Sequence, residues 1–337
     1  MSQLADVARA LVAPGKGILA ADESSGTIEK RFKSIDVEST EENRRDYREM
    51  LFRTEGAEEF ISGVILFDET IRQEAADGTR LAELLESKGI MPGIKVDTGA
   101  KQLAGSPSEK VTEGLDGLRE RLGEYRSLGA KFAKWRAVIT IGNDIPSDYC
   151  LHTNAHALAR YAALCTEAGI VPIVEPEVLM DGPHTIERCY EVTERTLRKV
   201  FAALYHQRVK LEEILLKPNM VLSGSECPTQ ASVREVAEAT LECFRNAVPA
   251  AVPGIVFLSG GQSDELASAH LNEMNKQGGG PWELSFSYGR ALQAPALKAW
   301  GGKAENVAAA QKAYYHRAKC NGAARSGDYS EAMESAA

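Results

Sequence analysis

Eight short apolar runs, each followed by an amphipathic stretch, span this 337-residue chain and predict a closed (β/α)8 barrel, the TIM-barrel class. The runs begin at Gly17, Ile61, Met91, Lys131, Ile170, Glu213, Gly254 and Glu283. From first to last is 266 residues over seven intervals, a mean of 38, which is room for a strand and a crossover helix. The second observation is that most of the runs carry polar or charged residues toward their ends, as parallel strands do when they open into a site. An open doubly wound sheet is the rival, but no Gly-x-Gly-x-x-Gly follows the first run.

Taken in order, GILAAD ends on Asp22 and Glu23, and ISGVILF is wholly apolar apart from Ser62. MPGIKVD carries Lys95 and Asp97, KFAKWRAVI carries Lys134 and Arg136, and IVPIVEPE carries Glu175 and Glu177. EILLKPNM holds Lys217, GIVFLSG ends in a glycine-rich turn, and ELSFSYG leads into Arg290. Between the runs, residues 154–168, 187–205 and 232–247 repeat their apolar positions at about 3.6 residues and read as helices. Gly169 stands where the first of these should end. No low-complexity linker divides the chain, so residues 1–320 read as one barrel domain. Residues 321–337 are small and polar and read as a mobile tail.

Composition narrows the function. With 39 basic against 48 acidic residues the net charge is −9, which argues against a nucleic-acid binder and requires any anionic ligand to be drawn by local cations. No apolar run approaches the ~20 residues of a membrane span, so no membrane partner is expected. The six cysteines are widely spaced with no Cys-x-x-Cys, and the first ten residues do not read as a signal peptide. Reduced thiols in a cytoplasmic protein are the expectation.

The anomaly lies in the charges that interrupt the apolar runs. Residues i and i+2 of a strand share a face, so Lys95 with Asp97, Lys134 with Arg136, and Glu175 with Glu177 each point one way together. The helix-facing side is dry and would cost several kcal/mol per stranded charge. The barrel mouth is the sensible place, where barrel enzymes collect catalytic groups from several strand ends. A lysine beside other cations loses proton affinity, and a neutral amine can attack a carbonyl to form a Schiff base. Carboxylates then supply proton transfers. Lys217, in the most apolar setting, is the nucleophile candidate, with Lys134 or Lys95 as its cationic neighbour. Leu258-Ser259-Gly260-Gly261 and Tyr288-Gly289-Arg290 end the seventh and eighth runs, where barrels often hold phosphate on backbone N–H groups and an arginine.

Ala20-Ala21-Asp22-Glu23-Ser24, Ile94-Lys95-Val96-Asp97, Lys134-Trp135-Arg136, Val174-Glu175-Pro176-Glu177, Leu215-Leu216-Lys217-Pro218-Asn219-Met220, Leu258-Ser259-Gly260-Gly261 and Ser287-Tyr288-Gly289-Arg290 together resemble class I, Schiff-base-forming fructose-bisphosphate aldolase. The resemblance implies a TIM barrel, usually a homotetramer, needing neither metal nor other cofactor and acting in glycolysis on a sugar phosphate. It implies that Lys217 forms the Schiff base and that Glu175 is the main general acid/base. Lys134 would assist electrostatically, Asp22 would take the C4 hydroxyl proton, and Glu177 would position Glu175 and Lys217. Ser259, Gly260, Gly289 and Arg290 match the C1-phosphate positions. Lys95, Arg136 and Arg31, with Ser24 and Thr27, match the C6-phosphate end. One departure is the C-terminus, which ends without a terminal tyrosine; Tyr329 matches an earlier tail position.

Three rivals remain at this point. A zinc lyase could use His152 and His156 at i, i+4, though no glutamate follows His152 as a His-Glu-x-x-His site requires. A glycosidase could use Glu175 and Glu177, leaving Lys217 unexplained. A catalytically dead scaffold would gain nothing from keeping so many charges in a barrel.

Overall fold

All eight apolar runs form strands, and the strands close on one another in the order β1-β10-β9-β8-β7-β6-β3-β2, every neighbouring pair parallel. The computed structural model describes residues 2–336. The chain opens with α1 (Gln3–Leu11), β1 (Gly17–Ala21), α2 (Ser25–Lys33), α3 (Glu41–Phe52), β2 (Ile61–Leu66), α4 (Asp68–Arg72), α5 (Leu81–Ser87) and β3 (Met91–Lys95). A hairpin of β4 (Gly99–Leu103) and β5 (Ser106–Glu113) stands outside the barrel, followed by α6 (Leu118–Ser127), β6 (Phe132–Ile139), α7 (Asp148–Glu167) and β7 (Val171–Val178). Then come α8 (Ile186–His206), β8 (Leu215–Leu216), α9 (Val233–Ala247), β9 (Gly254–Phe257), α10 (Asp264–Lys276), β10 (Glu283–Tyr288), α11 (Arg290–Trp300) and α12 (Val307–Ser326).

The expected helices form with their punctuation in place. Ser232 caps α9 in a reciprocal pair with Glu235, and Gly169, at φ +73°, ends α7. β8 is shorter than the run that predicts it because Pro218 has no N–H to give the sheet. Pairing nonetheless reaches Lys217, whose N–H donates to Val174 O at 2.8 Å.

Inside the barrel, the alternation of side chains sorts two layers. Ile18, Ala20, Ile65, Phe132, Val171, Ile173, Leu215 and Val256 pack together as one buried cluster with Leu11 and Val12, which seal the base of the barrel. The intervening residues, such as Ala133, Trp135, Val174 and Leu216, pack outward in the core beneath the helices. The base is tight. A Cβ on Gly93 would meet the Phe132 ring at 2.3 Å, and one on Gly254 would meet Val12 at 2.6 Å, so only glycine admits those neighbours. Trp300 packs on the rings of Phe32 and Tyr47, with centroids 5.6 and 5.3 Å away, as a core residue.

The boundary expected at residue 320 is corrected. Residues 321–326 are the last turns of α12, and Asn321 is buried with its Oδ1 accepting from Ser268 Oγ at 2.8 Å. The small residues that read as a tail permit close packing: a Cβ on Gly322 would stand 2.6 Å from the Phe60 ring. Tyr329 is buried as well, its N–H donating to Asn272 Oδ1 at 2.9 Å.

Candidate active site

The C-terminal ends of the strands open into a cleft of about 1120 Å³. Strand alternation determines what enters it. Lys134 and Arg136 have the facing of Phe132, Glu175 and Glu177 that of Ile173, Lys217 that of Leu215, and Asp22 that of Ala20. The charged residues therefore continue the inner apolar layer upward. Asp22, Ser24, Thr27, Arg31, Lys95, Arg136, Glu175, Glu177, Lys217, Ser259, Gly260, Gly289 and Arg290 all line the cleft. Lys134 lies just beneath, touching two of them.

At the centre, Lys134 Nζ is 2.7 Å from Asp22 Oδ2 and 3.2 Å from Glu175 Oε2, while Lys217 Nζ is 3.3 Å from Glu175 Oε1. All four side chains are largely buried. Burial alone would raise the Asp22 carboxyl, but Lys134, Lys217 and Lys95 outweigh it and hold it at about 2. Burial opposes the charge on Lys134 too, yet Asp22, Glu175 and Asp97 keep its ammonium well above the ordinary lysine value. Glu175 is likewise lowered against its burial by Lys134, Lys217 and Arg136. Glu177 goes the other way: burial raises it despite the paired Arg136. Two carboxylates on one strand are thus pushed in opposite directions.

One expectation changes here. The sequence reading set a cation directly beside Lys217. The structure inserts Glu175, so that Lys217 and Lys134 share one carboxylate and the like charges are bridged.

On one side of the centre, the adjacent strands β9 and β10 present Ser259, Gly260, Gly289 and Arg290. Gly260 takes φ +58°, a left-handed turn suited to glycine. A Cβ on Gly289 would lie 3.3 Å from Ala20 O, so the turn into α11 runs tight against the end of β1. Arg290 begins α11, donates to Gln262 O and stands 3.5 Å from Asp264 Oδ1. Behind this turn His270 Nδ1 is 2.6 Å from Gln262 Oε1, and burial holds its imidazole down at about 4, neutral at ordinary pH. On the other side, the three cations expected there each have a carboxylate: Lys95 with Asp97 at 2.6 Å, Arg136 with Glu177, and Arg31 with Glu23. Ser24 Oγ and Thr27 Oγ1 lie 3.1 Å apart at its rim.

Sequence reasoning missed several groups. Ser287 lines the cleft with a buried, unpartnered hydroxyl; its alternation with Ser285 on β10 was the available signal. Arg121 lines the cleft from α6, donating to Val96 O at 2.9 Å, and nothing local distinguishes it from a surface helix arginine. Arg48, which donates to Glu23 O, and Gln293, which reaches Ala20 O and Glu23 Oε1, brace the end of β1. His152 and His156 are exposed on α7, away from the cleft.

Comparison with known proteins agrees with this geometry. The family model "Fructose-bisphosphate aldolase class-I" matches residues 3–337. The chain is 62% identical over 330 residues to the probable fructose-bisphosphate aldolase class 1 of Xanthomonas axonopodis pv. citri, covering 98% of this chain and 99% of that one. It is 55% identical over 317 residues to cytosolic fructose-bisphosphate aldolase 4 of Arabidopsis thaliana, covering 94% and 81%. Its fold matches the fructose-bisphosphate aldolase of Plasmodium falciparum, solved in complex with TRAP and a small-molecule inhibitor, with TM-score 0.96 and 51% identity over 97% of this chain and 95% of that one. With a lysine and its carboxylate buried at the mouth of an eight-stranded barrel, and with likeness along almost its whole length, the chain belongs to the class I fructose-bisphosphate aldolase family.

Proposed function

We infer that this chain catalyses the reversible aldol cleavage of fructose 1,6-bisphosphate to dihydroxyacetone phosphate and glyceraldehyde 3-phosphate through an iminium on Lys217. The observation that carries the reading is the buried chain Lys217–Glu175–Lys134–Asp22, in which a nucleophile, a carboxylate, a fixed cation and a second carboxylate touch in sequence.

Each group has a task. The free amine of Lys217 adds to the substrate's C2 carbonyl, and Glu175, 3.3 Å away, is an acceptor for the proton it sheds. The same carboxyl relays that proton to the carbinolamine oxygen, and a second proton, taken up from solvent, lets the oxygen leave as water and gives the iminium. Lys134 stays cationic and fixes the orientation of both carboxylates. Asp22, ionised throughout the working range, takes the C4 hydroxyl proton as the C3–C4 bond breaks. The bonding pair moves to C3 and into the iminium, giving an enamine that is then protonated at C3 and hydrolysed. Glu177 holds Arg136 and sits beside Glu175.

The two ends of the cleft suit a substrate with two phosphates. Ser259, Gly260, Gly289 and Arg290 would hold the C1 phosphate on hydroxyl, backbone and guanidinium donors. Lys95, Arg136 and Arg31, with Ser24 and Thr27, would take the C6 phosphate by exchanging their carboxylate partners for it. This explains how a chain of net charge −9 draws an anion.

The iminium is itself the electron sink, so the reading calls for no metal or other cofactor. A homotetramer and a cytoplasmic setting belong to the same reading on the family resemblance, the Arabidopsis relative being named cytosolic; among the described residues no helix is long and apolar enough to cross a membrane. The test is release of both triose phosphates from fructose 1,6-bisphosphate after exhaustive dialysis against EDTA. Undiminished turnover is expected, and activity that disappears and returns with zinc would overturn the reading.

A further inference from the structure

On the outside of the barrel, α12 places His316 and Cys320 one helical turn apart, and the closing turn of the chain (Glu331–Ala336) brings Glu334 against them. His316 Nε2 lies 3.6 Å from Cys320 Sγ and 3.6 Å from Glu334 Oε2, and the ligand atoms of all three fall within 4.8 Å of one another. Tetrahedral zinc, with bonds of about 2.3 Å to sulfur and about 2.0–2.2 Å to nitrogen and oxygen, has ligand-to-ligand edges of roughly 3.4–3.6 Å. Two of the three edges therefore stand close to the required length before any side chain moves. None of the three residues lines the catalytic cleft.

We propose that His316, Cys320 and Glu334 form a binding site for a zinc-type transition metal, with water as the fourth ligand. The carboxylate is already oriented as a ligand should be. Its two oxygens accept from Arg317 Nη1 at 2.5 and 2.6 Å, Oε1 also accepts from Tyr329 OH at 2.8 Å, and Oε2, while bonded to Arg317, keeps a lone pair toward His316. The His316 and Glu334 side chains are 16% and 21% exposed, so the ion has an entry path, while the sulfur lies buried behind them. A soft thiolate with an imidazole and one carboxylate selects zinc, cobalt or copper over magnesium or calcium. On binding, the metal takes the place of the thiol proton, which leaves to solvent. The thiolate contributes one negative charge toward the divalent ion, the Glu334 carboxylate being shared between the metal and Arg317, and no electron is transferred. The consequence is structural: the ion fastens the last turn of the chain to α12.

The full-length protein, stripped of metal and titrated with cobalt(II), tests this. One equivalent should produce a near-ultraviolet thiolate-to-cobalt absorption band that one equivalent of zinc abolishes. Cys320→Ser should lose the band, whereas Cys150→Ser should keep it. His316→Ala and Glu334→Gln should each weaken zinc binding by at least the roughly 10–100-fold that loss of a mere outer-shell partner costs, with unchanged far-ultraviolet circular dichroism. Absence of the band, its persistence in Cys320→Ser, or zinc affinity unmoved by both His316→Ala and Glu334→Gln would overturn the proposal.

Discussion

The two ends of the barrel are built from the same strands by the same alternation and are chemically opposite. At the base, the inward positions carry Ile18, Phe132, Val171, Leu215 and Val256, and Leu11 and Val12 at the end of α1 enter the opening, so that only glycine fits at residue 63 beside Leu11 and Phe132, at residue 93 beside Phe132 and at residue 254 beside Val12. One or two steps further along the same strands, the inward positions carry Asp22, Lys134, Glu175 and Lys217 around an open cleft. The base gains stability from apolar burial. The mouth buries four charged groups, an arrangement that contributes little net stability because desolvation offsets attraction. The difference teaches that the base holds the cylinder together and so leaves the mouth free to carry charges that serve chemistry.

That contrast can be broken by substitution at either end. At the mouth, Glu175→Gln removes the proton acceptor beside Lys217 and should lower kcat by about a hundred- to ten-thousand-fold in a steady-state cleavage assay, the usual range for a general acid/base. Retention of near-normal kcat would move the proton-transfer role elsewhere. At the base, Phe132→Ala empties the space left by Gly63 and Gly93 and should cost about 3–5 kcal/mol of stability in denaturant unfolding. The kcat of the molecules that remain folded should be unchanged; a matching loss of kcat would show that the two layers are not separable. The smallest effect concerns the cleft's edge. Arg290→Ala should raise KM for a substrate with a C1 phosphate by about 1.5–3 kcal/mol, roughly 10–150-fold, if one charge-assisted bond is lost. An unaltered KM would put that phosphate somewhere else.

Much of this contrast is legible in the sequence, because alternation along a strand is a local signal. The positions of all eight barrel strands follow from apolar runs, and the shared facing of Lys134 with Arg136, or of Glu175 with Glu177, follows from their spacing of two. The glycine turns that follow β9 and β10 are legible for the same reason: glycines and an arginine sit at the strand ends themselves. What depends on distant partners is not. That α1 plugs the base, that the 99–113 segment folds out as a hairpin, and that Glu175 stands between two lysines are consequences of tertiary packing. Residues 321–326 mislead because small, polar composition serves a disordered tail and a closely packed helix end alike; the Phe60 ring that selects Gly322 lies far away in sequence. The carboxylate partners of Lys95, Arg136 and Arg31 are each visible in the sequence as charges, but the pairing of Glu23 with Arg31 is set by the fold.

The central claim is that the amine of Lys217, at the charged end of the barrel, makes the covalent bond to substrate. Borohydride reduction in the presence of dihydroxyacetone phosphate, followed by peptide mapping by mass spectrometry, tests it directly. The account predicts a single stable adduct on Lys217 that vanishes in Lys217→Met. An adduct on Lys134, Lys95 or any other lysine, or no adduct while the enzyme still cleaves its substrate, would contradict it.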